Sequence, residues 1–147
     1  MPQGESQVTA IAHVIQLAVA PVFLLTGVAA ILGVLTNRLA RIIDRARILE
    51  ERLPVASEES RQHDVRELGL LGRRARLMNR AIGLCTTGAL LVCAVIVALF
   101  VGAFLETDVS LAIGPLFVAA MLALFVGLLL FLEEIRLATT GLRIGPP

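Results

Sequence analysis

The chain has 147 residues, 57% of them hydrophobic, with a mean hydropathy of +0.87 and a formal net charge of +1. That is more apolar than a soluble domain, and the length suits one domain or one small bundle. All 13 basic residues are arginine and there is no Trp or Tyr, so the aromatic belt common at membrane interfaces is missing and anchoring falls to arginine and phenylalanine.

The N-terminal stretch MPQGESQVTA carries no basic n-region, so a cleaved signal peptide is not expected and the first apolar segment is read as retained. Residues 1–7 are assigned to the outside and 8–37 to a first transmembrane helix. No formally charged residue occurs between Glu5 and Arg38. Within this span Thr9, His13 and Gln16, spaced 4 and 3, share one helix face. They form either an outer-interface polar cluster bonded to a neighbour or water, or the mouth of a pore in which His13 titrates. Pro21 removes one helical hydrogen bond and is expected to kink the helix.

Charge then arrives abruptly. Residues 38–80 hold eleven arginines against seven acids, a net of +4. Leu39, Ile42, Ala46, Leu49 and Leu53 recur at heptad-like spacings, and so do Leu68, Leu71, Ala75, Met78 and Ile82. Pro54 interrupts the pattern, and Ser57 followed by Glu58 and Glu59 reads as a new helix start. The prediction is an antiparallel helical hairpin with its turn near 54–57, whose arms continue into the membrane helices without a break. Its basic residues gather at the membrane ends: Arg38, Arg41, Arg45 and Arg47 on one arm, Arg73, Arg74, Arg76 and Arg80 on the other. Six of its seven acids, Glu50, Glu51, Glu58, Glu59, Asp64 and Glu67, gather toward the tip with Arg52, Arg61 and Arg66, and Asp44 alone lies among the membrane-end arginines. Arginines beside an anionic leaflet each gain about 1 kcal/mol, so Arg38, Arg41, Arg45, Arg73, Arg74, Arg76 and Arg80 are candidate lipid or anion ligands. The simpler reading makes them topology signals and anchors.

A second transmembrane helix is predicted over 81–105, an outside turn over 106–114, and a third transmembrane helix over 115–132. A cytoplasmic tail follows over 133–147, with helix persisting to about 140 and Gly141 as its stop. The basic hairpin faces the cytoplasm by the positive-inside rule, which places the N-terminus outside and the C-terminus inside. Cys85 and Cys93 lie roughly 12 Å apart along one helix, too far to pair or share a metal ion, and read as small packing residues. Ala29 and Gly33, then Ala94, Ala98 and Gly102, then Ala119, Ala123 and Gly127 form small-residue faces suited to close helix contact. Glu133 and Glu134 end the third span and are expected to form structural ion pairs with Arg38 and Arg80.

The run LLTGVAAILGVLTNRLARIIDRARILEERL, from Leu24 to Leu53, resembles an uncharacterised bacterial three-helix membrane family (domain of unknown function, family 2721). Its most distinctive part is similar to NRLARIIDRARILE, and the likeness extends over nearly the whole chain. The resemblance implies an architecture and a bacterial inner-membrane setting, and it carries over no catalytic residue.

The expected fold is therefore an all-α membrane protein with three transmembrane helices, the first two extended into a cytoplasmic antiparallel helical hairpin. No GxSxG, HExxH, Walker loop or CxxC is present, so catalytic residues, metal ligands and cofactors are not expected. Nucleic acid is a poor partner for a collar turned to the membrane beneath an acidic tip. The favoured function is a non-enzymatic, homo-oligomeric scaffold that binds anionic lipid and offers its acidic tip to a protein partner. The alternative is a small oligomeric channel or transport component lined by the first helix.

Overall fold

The computed structural model describes residues 3–105 and 110–140 and, within them, the side chains other than those of residues 3–7, 10, 110, 139 and 140. Three helices account for nearly all of it: α1 (Gln3–Arg52), α2 (Glu58–Leu105) and α3 (Ser110–Thr140). No strand occurs among the described residues.

Each helix holds an 18-residue window apolar enough to cross a bilayer, with mean hydropathies of 2.4, 2.8 and 2.7. Only 17–22% of those windows is buried inside the protein. Such extensive exposed apolar surface is untenable in water and fits a lipid surround, making this a membrane protein. A bilayer core needs about 20 helical residues. The 50 residues of α1 and 48 of α2 exceed that, so both helices must extend beyond one core thickness.

The structure divides into two compact units. The first comprises Met1–Ile31 and Leu84–Phe125, the second Leu32–Gly83 and Val126–Pro147.

In the first unit the core is built from Val14, Ala18 and Val28 of α1, Cys85, Val92 and Val95 of α2, and Ala120 and Leu124 of α3. The helices α2 and α3 approach closely at Gly88. A Cβ there would lie 2.7 Å from Leu124 Cγ and 3.2 Å from the Ala120 carbonyl oxygen. The expected small-residue faces are only partly inward: Gly102 is buried, whereas Ala94, Ala119 and, in the first helix, Ala29 are exposed. Pro21 is buried within α1, which continues through it. Cys85 is buried and Cys93 exposed, and both are free thiols. Thr26 donates to the Val22 carbonyl at 3.4 Å, which satisfies a hydroxyl inside an apolar span.

In the second unit the core contains Leu35, Ile42 and Leu49 of α1 and Leu71, Met78 and Ala81 of α2. Here the expected seam is corrected by one position. Leu71 and Met78 are buried, but Leu68, Ala75 and Ile82 are only part-buried, and Ala81 takes the inward place. Residues 53–57 join α1 to α2. Leu53 and Val55 donate backbone bonds to Leu49 and Arg52, and the Ser57 carbonyl accepts from Arg61 at 2.8 Å. Ser57 thus stands in the N-cap position, with its hydroxyl donating to Ser60 Oγ at 3.1 Å, and Glu58 and Glu59 favour the helix start electrostatically.

The third helix begins at Ser110, earlier than the expected residue 115. Pro115 lies inside it, and its missing N–H forfeits one helical amide bond. The segment 106–109, Gly141 and the Pro146–Pro147 tail fall outside the described residues.

Candidate functional site

The second unit contains a charged cluster built on a buried carboxylate. On α3 the inward positions are Ala120, Leu124, Gly127 and Glu134, three of them seven residues apart. A seven-residue step keeps a side chain on nearly the same helix face, so Glu134 continues an apolar stripe with a charged group. Its side chain is 0% exposed. A buried carboxylate is tolerable only when paired and hydrogen-bonded, and two arginines supply the bonds.

From α1, Arg38 Nη1 donates to Glu134 Oε2 at 3.0 Å. From α2, Arg74 donates to Oε1 twice, through Nε at 3.0 Å and Nη2 at 2.8 Å. One carboxylate thereby ties three helices. The Arg38 guanidinium also lies 5.5 Å from the centroid of the Phe131 ring, a cation–π distance. No buried side-chain polar atom among the described residues lacks a partner.

Beside this clamp is a cavity of about 270 Å³, lined by Arg38, Arg41, Ile42, Arg45, Leu71, Arg74, Glu134 and Ala138. Four arginines and one carboxylate give its wall a strong positive excess. Each guanidinium carries five N–H donors; Arg38 commits one to Glu134 and Arg74 two, so most remain available. Arg45 is tied at 2.9 Å to Glu67. A second cavity, about 500 Å³, is lined by His63, Arg66, Glu67, Leu70, Leu71, Arg74, Leu137 and Ala138. The two share Leu71, Arg74 and Ala138 and therefore adjoin.

Of the seven candidate anion ligands, the structure gathers Arg38, Arg41, Arg45 and Arg74 at the first cavity. Arg73, Arg76 and Arg80 are exposed and do not line it. Glu134 is paired with Arg38 and Arg74 rather than with Arg80, and Glu133 is exposed. Thr9, His13 and Gln16 are all exposed on α1, in the first unit. The Arg45–Glu67 link was not anticipated. Its signal is the seven-residue track Glu67, Arg74, Ala81, Gly88, in which two charged residues extend a buried stripe. No group of His, Cys, Asp and Glu suited to a metal ion occurs among the described residues.

Nothing among the curated proteins or the solved structures matches the chain. A family described as "Protein of unknown function (DUF2721)" matches residues 18–144. With that match spanning most of the chain, over three helices of membrane-crossing length, this membrane protein belongs to the DUF2721 family.

Proposed function

We propose that this protein is a non-enzymatic scaffold of the bacterial inner membrane that holds the phosphate of an anionic lipid headgroup in its arginine-lined cavity. The observation that carries this is the cavity wall of Arg38, Arg41, Arg45 and Arg74 around a carboxylate whose two oxygens are already engaged. Planar guanidinium forks suit phosphate oxygens. The N-terminus and the connection between α2 and α3 lie on the outer side, the charged arms and C-terminus on the inner side, a reading the arginine bias supports. Arg73, Arg76 and Arg80 serve as the outer collar against the leaflet. Copies of the chain associate side by side, and the acidic tip around Glu50, Glu51, Glu58 and Glu59 meets a protein partner.

The test compares Arg41→Gln with wild type in phosphatidylcholine nanodiscs doped with phosphatidylglycerol. Arg41 lines the cavity but takes no part in the Glu134 clamp, so its loss should weaken phosphatidylglycerol binding about fivefold with an unchanged melting temperature. Unchanged binding would refute the headgroup site. A second reading, an oligomeric channel lined by α1, has the exposed face of Thr9, His13 and Gln16 in its favour.

A further inference from the structure

Arg45 and Glu67 differ from the other charged pairs of the second unit. Glu134 is wholly buried, but the Arg45 and Glu67 side chains are 50% and 30% exposed. An exposed ion pair is weak, so it opens readily. Its position is not that of an ordinary surface pair. Arg45 lines the first cavity and Glu67 the second, so their 2.9 Å bond links a residue of one wall to a residue of the other. The Glu67 carboxylate is an oxyanion already bound to a guanidinium of the anion cavity.

We propose, resting on the anion-site reading above, that Glu67 is an internal competitor for Arg45, a built-in stand-in for the ligand's phosphate oxygens. A phosphate-type oxyanion entering the cavity meets Arg41 and the remaining donors of Arg38 and Arg74 directly. Arg45 gives Glu67 its Nε–H, so an oxyanion that takes the bidentate Nε–Nη edge of Arg45 must displace Glu67. The pair thus lowers the site's affinity while it is closed. Glu134 has the opposite role: its bonds position Arg38 and Arg74, and it is not displaced. The oxyanion is either a lipid headgroup or free phosphate, since both present the same oxygens.

The experiment measures binding to the full-length protein in nanodiscs, in two arms. One titrates phosphatidylglycerol doped into phosphatidylcholine; the other titrates inorganic phosphate against phosphatidylcholine alone. Glu67→Gln should tighten binding about two- to fivefold, the factor that release of an exposed pair supplies. Glu67→Ala should do the same, so the result does not hinge on one variant. In an Arg45→Gln background the gain should vanish, as pairwise coupling requires. Glu59→Gln, which removes an equal charge in the first turn of α2, should have no such effect. Tightening in the lipid arm supports the competitor with a headgroup as ligand, and tightening in the phosphate arm supports it with the free anion.

Saturable wild-type binding that Glu67→Gln and Glu67→Ala leave unchanged or weaken would overturn the competitor alone. Equal tightening by Glu59→Gln would also overturn it, since the cause would be the general field. Absence of saturable binding in both wild type and Glu67→Gln would overturn the anion site and the competitor together.

Discussion

Among the described residues Glu134 is the one buried polar or charged side chain. Removing one partner of a buried, bonded charge typically costs about 3–5 kcal/mol, because the remaining charges lose their compensation. Glu134→Ala should destabilise at the upper part of that range, and Glu134→Gln should not restore the loss. Arg74→Gln should cost more than Arg38→Gln: Arg74 makes two bonds to the carboxylate and Arg38 one, and Arg38 retains more water contact. Melting temperatures in detergent would rank the four; an Arg38→Gln protein less stable than Arg74→Gln would contradict the geometry. Part of this cluster could be read from the sequence, namely a carboxylate at the end of the third span and Arg38 at its depth. The partner on α2 could not. Arg74 and Arg80 stand six residues apart, about 240° around a helix, and only the register of α2 against α3 decides which one faces Glu134. The choice between Glu133 and Glu134 was open to inspection, since the seven-residue track from Ala120 through Gly127 leads to Glu134 alone.

Among the helices, α2 and α3 offer the sharpest test. At Gly88 an added methyl group would press on Leu124 and on the Ala120 carbonyl, and overpacking of this kind costs about 1–3 kcal/mol. Gly88→Ala should lower the melting temperature and Gly88→Leu should lower it further. Gly33 has open space around it, so Gly33→Ala should be neutral or gain up to about 1 kcal/mol from helix propensity. If Gly33→Ala proved the more damaging, that face would be packed against another chain. The three helices themselves followed from composition and periodicity. The close approach at Gly88 did not, because the four-residue spacings of Ala94–Ala98–Gly102 and Ala119–Ala123–Gly127 drift around the helix, whereas the buried faces keep the seven-residue step. The exposed polar face of α1 belongs here too. His13→Ala should abolish any pH response of ion flux in proteoliposomes if α1 lines a path; the same flux and pH response as wild type would end the channel reading.

For the whole molecule, the decisive quantity is the placement of charge relative to the membrane. Eleven of the 13 basic residues lie within 38–80, so cysteine labelling should find Ser60→Cys reactive in inverted vesicles and protected in intact cells. Labelling of intact cells would reverse the orientation. Membrane character and the number of spans were plain from hydropathy, because burial in lipid needs only apolar length. What the cluster does was not, because its function depends on which arginines share a cavity, and that is a property of three packed helices rather than of any one segment.

The three-helix clamp also bears on the order of assembly during synthesis. A chain made from its N-terminus has Arg38 and Arg74 long before Glu134. Until α3 arrives, the two guanidinium groups lack their shared counter-charge. The third helix therefore acts as a latch: its carboxylate supplies the bonds that tie Arg38 and Arg74 to one another's helix. A chain truncated before Glu134 should hold α1 and α2 less firmly at the level of Arg38 and Arg74, read as faster amide exchange there.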